Sequence, residues 1–139
     1  HAQHARDFRP FVAAMLAGDE ARAAEVFNDL WGATPWADIP ARLRVKLTNR
    51  IHLIVAGAAP IDEDVAGITS AQRLRALNHP VTLIRGADTQ PVIKAIHQLL
   101  AQRIPDAQDH VIAGAAHMVP LTHADAVATI IRAADPKTR

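Results

Sequence analysis

The chain has 139 residues, half of them hydrophobic and 21% charged, which is the balance of one globular domain or of part of a larger one. Fifteen basic and fourteen acidic side chains are mixed along it, giving a net charge of +1; no basic block points to nucleic acid or to an anionic membrane surface. There is no cysteine, which excludes disulfides, thiolate metal sites and cysteine nucleophiles together. No apolar run reaches the roughly 18–20 residues of a membrane span, and no signal peptide is visible, so a cytoplasmic location is expected. The chain begins His1-Ala2-Gln3 rather than with methionine, and the native start is expected upstream.

Phe8, Phe11, Val12, Met15 and Leu16 recur at helical spacing and predict a helix over 8–17. Gly18-Asp19 breaks it, and Asp19 is placed to cap a second helix over 20–31, with Val26, Phe27, Leu30 and Trp31 as its buried stripe. Gly32, Pro35 and Pro40 punctuate a loop carrying Trp36, and Pro40 suits the first turn of a helix over 40–50. Residues 51–56 read either as a short strand or as more helix; helix is the preferred reading. Residues 57–67, with two glycines, a proline and Asp62-Glu63-Asp64, read as a solvated loop rather than a metal site. A helix over 70–78 should turn Leu74 and Leu77 inward.

From Pro80 the pattern changes. Val81-Thr82-Leu83-Ile84, stopped by Gly86, is a buried strand by composition. Pro91 opens a helix over 91–103 with Val92, Ile96, Leu99 and Leu100 on its apolar side. A second strand over 109–113 leads into the turn Gly114-Ala115-Ala116-His117, and a helix over 123–134 should bury Val127, Ile130 and Ile131 before a polar tail. Strand–helix–strand–helix order is the signature of a parallel crossover unit. Two short parallel strands do not make a stable sheet alone, so either this is a helical protein carrying an unusual small sheet or, the preferred reading, the sheet continues in another segment or chain.

His117 carries the most chemical promise. It follows a predicted strand at the end where parallel sheets gather ligand-binding side chains, and imidazole serves as a general base near neutral pH. The plain alternative is a hydrogen-bonded turn histidine. Asp88, just past the first strand, is placed either to orient that histidine or to shape the turn before Pro91. Trp31, Trp36 and Met118 read either as core or as the lining of an aromatic or acyl pocket. His1 and His4 form no spaced zinc set, no His-Glu-x-x-His element occurs, and no glycine fingerprint for a nicotinamide or flavin follows Gly86; no cofactor or metal is expected.

Residues 80–134 resemble the carboxyl-terminal end of α/β-hydrolase-fold enzymes. The strand Pro80–Gly86, the Gly114-Ala115-Ala116-His117 turn after the last strand, and the closing helix from His123 match in order. The helical segment before them, with Phe27-Asn28-Asp29-Leu30-Trp31 and Trp36, is similar to the cap of small-molecule hydrolases. The resemblance implies an α/β fold with a cap region over 1–78 and, over 79–139, the last two parallel strands with flanking helices. It implies that His117 is the catalytic histidine. The family's acid usually follows the strand-end glycine by three residues, which is Thr89 here, whereas Asp88 follows by two; some members supply it from an earlier strand. Trp31, Trp36 and Met118 would contribute to substrate binding.

The family's Gly-x-Ser-x-Gly elbow is absent; the single serine is Ser70, and no glycine-rich oxyanion loop is present. The resemblance therefore implies a partner polypeptide bearing the serine, cleaved from one precursor or separately encoded. The substrate would be a small ester, lactone or related acyl compound. Alternatives are a non-catalytic binding module on the same half-fold, or carbon–carbon bond hydrolysis or cofactor-free peroxidase chemistry, which the family also hosts.

Overall fold

A computed structural model describes residues 2–135; His1 and the end of the expected polar tail, 136–139, lie outside the described residues. The protein is mixed helix and strand, with a two-stranded parallel sheet flanked by helices. It divides into two compact units between Gly67 and Ile68, ahead of the 78/79 boundary expected from sequence, because the helix at 71–75 packs with the second unit.

The first unit is helical. Helix α1 (Ala2–Leu16) starts earlier than expected and tolerates Pro10 within it. Helix α2 (Glu20–Trp31) has the expected boundaries, and Asp19 caps it by accepting a 2.9 Å hydrogen bond from the Arg22 backbone N–H. Phe11, Ala14, Ala23, Ala24 and Ile51 form the buried core, with Phe8 and Phe27 packed on it. The small residues Ala23 and Ala24, rather than the larger Leu30 and Trp31, are the most buried on α2, as close approach to α1 requires. The three phenylalanines make ring pairs with centroids 4.6–6.3 Å apart.

Beyond a 3₁₀ turn (Trp36–Asp38), helix α3 (Ala41–Thr48) follows Pro40, and residues 51–56 form helix α4 (His52–Ala56), as preferred from sequence. The expected loop over 57–67 instead contains a one-turn helix, α5 (Ala58–Asp62). Pro60 sits in its first turn, where a missing N–H breaks nothing.

The second unit holds the sheet. Helix α6 (Ala71–Arg75) buries Leu74 but ends early, leaving Leu77 exposed. Strand β1 (Val81–Gly86), helix α7 (Pro91–Arg103) and strand β2 (Ala107–Ile112) follow, and α7 has the predicted boundaries. The strands pair in parallel, with Val81 opposite Ala107 and Gly86 opposite Ile112. On α7 Val92, Ile93, His97, Leu100, Ala101 and Arg103 are half-buried, while Ile96 and Leu99 are exposed, so the inward face is rotated from the expected one.

After the turn over 114–117, Val119–Thr122 form one helical turn, α8, with Pro120 near its start; α9 (Ala124–Ala134) follows with Ile131 exposed. Val81 to Arg85 are only half-buried, although a parallel strand is normally covered on both faces. No helix among the described residues is long and apolar enough to cross a membrane.

Candidate functional site

His117 and Asp88 follow the carboxyl ends of adjacent, paired strands. The two turns that carry them are locked together through the backbone. Ala87 N–H donates to the Ile112 carbonyl and Asp88 N–H to the Ala115 carbonyl, each at 2.9 Å. Ala115 is fully buried, and Gly86 is packed so closely on it that a Cβ at position 86 would overlap the Ala115 carbonyl and the Ala116 oxygen. Gly86 is thus required by close approach, whereas Gly114 is required by its φ of +70°, which reverses the chain after β2. The turn preceding His117 is therefore positioned by strand pairing, two glycines and the buried Ala115.

A cavity of about 460 Å³ opens beside His117. Its walls are largely apolar, including Ile84, Ile93, Leu100 and Val127, and its polar members are Thr82, Arg85, Thr89, His97 and His117. The His117 residue is exposed as a whole, but the covered part of its ring is desolvated, which lowers its pKa below the ordinary imidazole value. Neutral imidazole is the form a general base needs at neutral pH.

The unfolded chain takes up the proton first as pH falls from about 6.5, so this histidine withdraws stability across the window between that value and its lower folded-state pKa. A proton NMR titration of His117 should give a midpoint below about 6.5; a midpoint at or above it contradicts the desolvated setting.

Asp88 is exposed, and its carboxylate is not among the groups lining the cavity; Thr89, the next residue, lines it with a buried Oγ1 that has no hydrogen-bond partner. The position that faces the histidine's cavity from the β1 turn is therefore a hydroxyl, not a carboxylate. Met118 acts through its backbone: its carbonyl accepts from Leu121 and Thr122 N–H and starts α8, while its neighbours His117 and Val119 line the cavity. Trp36 is tied to the first unit, packing against the helical core and donating its backbone N–H to Asp29 Oδ1 at 2.9 Å. Trp31 stacks edge-on with His4 at 5.8 Å in the same unit. Both tryptophans thus have packing roles within that unit.

A second cluster was not anticipated. The Asp109 carboxylate on β2 receives His97 Nδ1 at 3.0 Å from α7 and stands 3.4 Å from Arg85 Nε on β1. Their side chains are 22%, 14% and 10% exposed respectively. Arg85 inside an otherwise apolar strand was the available signal, since a buried charge needs a partner. Among the described residues, no group of three or more histidines and carboxylates is placed to hold a metal ion.

No family model, curated protein or solved structure matches this chain.

Proposed function

We propose that the chain is the carboxyl-terminal part of an α/β-hydrolase acting on a small ester, lactone or related acyl compound, with the nucleophilic serine supplied by a partner segment. The observation that carries this reading is the backbone-locked pair of strand-end turns, which presents a desolvated His117 at the mouth of a largely apolar cavity. In the completed site the partner's serine hydroxyl attacks the substrate carbonyl and His117 takes its proton. The tetrahedral intermediate collapses with proton return to the leaving alcohol. His117 then deprotonates the water that releases the acid.

The acidic member is Asp88 or a carboxylate of the partner. The exposed setting of Asp88 and the hydroxyl at position 89 favour the partner. The apolar lining suits an acyl or aryl group in place of a strongly charged substrate. A cap role for the helical first unit and a cytoplasmic setting belong to the same reading.

The test is labelling of natively purified material with a fluorophosphonate reagent that reacts only with activated serines. Expected is label on a companion polypeptide carrying a Gly-x-Ser-x-Gly elbow, and none on this chain, whose one serine, Ser70, stands at the N-cap position of α6. A folded, homogeneous preparation that takes no label at all favours the non-catalytic binding module instead.

A further inference from the structure

The Arg85–Asp109–His97 cluster fixes where one histidine carries its proton. The two oxygens of Asp109 serve different partners: Oδ2 stands 3.4 Å from Arg85 Nε, and Oδ1 stands 3.0 Å from His97 Nδ1. An ionised carboxylate only accepts, so the proton of a neutral His97 ring sits on Nδ1 and points at Asp109. Nε2 is then a bare lone pair. Arg85 and Asp109 cancel in charge, so the cluster as a whole is neutral when the ring is.

His97 lines the same cavity as His117, whereas Asp109 does not. With Nδ1 spent on the carboxylate, Nε2 is the polar atom the ring has left for that space. It makes no hydrogen bond among the described residues, and it is not one of the polar atoms sealed from solvent. Thr89 Oγ1 also belongs to the lining; it is buried without a hydrogen-bond partner and can donate to an oxygen of a bound molecule.

These groups select by chemistry. Arg85 is the one fixed charge in the lining, and Asp109 cancels it. A carboxylate would meet the lone pair of Nε2 with the Asp109 charge behind it, and an ammonium would lose its water to aliphatic walls. A neutral donor fits, and a hydroxyl is one that can also accept from Thr89.

We propose that His97 is a specificity-determining residue of this cavity, whose Nε2, held as an acceptor by Asp109, takes the hydrogen bond of a substrate hydroxyl, so that the preferred substrates are esters or lactones of hydroxylated acids. Asp109 and Arg85 are positioning residues that act through His97. The ester or lactone part of the substrate rests on the hydrolase reading above; the hydroxyl rests on the cluster. An analogue lacking the hydroxyl leaves the acceptor unpaired and is discriminated against for that reason.

Asp109→Asn reverses the wiring. Arg85 only donates, so the amide keeps its oxygen toward Arg85 and turns its NH2 toward His97. Nδ1 must then accept, the proton moves to Nε2, and the ring offers the cavity a donor in place of an acceptor. A cluster that only braced β1, β2 and α7 would leave the response of Nε2 to ligands unaltered.

Proton–nitrogen correlation spectra of the histidine rings, on natively purified, isotopically labelled protein at about pH 8, read both the tautomer and the bond. Expected is the Nδ1–H form of His97, with the Nε2 resonance moving on addition of methyl β-hydroxybutyrate at about 10 mM and staying in place with methyl butyrate. Asp109→Asn should show the Nε2–H form and lose that response. In the companion-bound enzyme, kcat/KM should favour the hydroxy ester by at least about tenfold, and the ratio should fall to about unity in His97→Phe. A ratio within one variant is insensitive to loss of active protein. If neither variant folds, the parent spectra with the two esters decide.

The Nε2–H or doubly protonated form of His97 in the parent protein, an equal response to both esters, or no response to either overturns the proposal. The two readings fail separately. A hydroxy-ester response at His97 without His117-dependent esterase activity sinks the hydrolase reading alone. His117-dependent activity with no preference for the hydroxy ester sinks the role of His97 alone.

Discussion

In the proposed hydrolase, substituting alanine for His117 should lower kcat for ester hydrolysis at least about 10³-fold, with KM changed little, because proton transfer is lost and substrate binding is not. His117→Gln should be no better, since an amide cannot take the serine proton. Neither variant should unfold the chain, because the residue is exposed and its turn is held by Gly86, Ala115 and the backbone bonds around them. Steady-state kinetics on a chromogenic ester, with circular dichroism on the same samples, checks this. A His117→Ala enzyme within tenfold of the parent would return the residue to a turn histidine. Asp88→Asn should cost less than about tenfold if the partner supplies the acid, against roughly 10⁴ for a triad carboxylate.

Gly86→Ala should be the most damaging single methyl in the second unit. The added Cβ meets backbone, not a flexible side chain, at Ala115 and Ala116, so the two turns must separate. That breaks the Asp88 N–H bond to the Ala115 carbonyl and displaces His117, two residues further on. The expected stability loss is about 1–3 kcal/mol by overpacking, measured by urea unfolding, with an activity loss of about 10²-fold from a misplaced base. Gly114→Ala acts differently. Nothing lies within 4 Å of its Cβ position, and its cost is the left-handed backbone alone, about 1 kcal/mol. Equal losses in the two variants would contradict the packing account.

The elements that sequence defined best are those with local signals. Pro91 at the first turn, after a strand-end glycine, marked the start of α7, and Asp19 marked the start of α2. The parallel pairing of β1 and β2 followed from strand–helix–strand order. What was hidden is non-local or turns on a single residue. Pro60, counted among the loop signals of 57–67, sits in a first turn where proline is tolerated, so α5 was missed, and the one-turn α8, with Pro120 near its start, had no helical reading.

The inward face of α7 depends on how the helix rotates against a sheet of only two strands, which leaves Ile96 and Leu99 exposed where periodicity alone placed them inside. Thr89 rather than Asp88 faces the cavity because the β1 turn is tied to Ala115, a contact with no local signature. The Arg85–Asp109–His97 cluster needed the strand register and the helix together.

The proposed function requires a second polypeptide, and native followed by denaturing mass spectrometry of the purified material is the first experiment to make. Expected is a native mass above 15.0 kDa that separates on denaturation into this chain and a companion whose sequence contains a Gly-x-Ser-x-Gly elbow. A folded species whose native mass equals 15.0 kDa, with no companion, would contradict it.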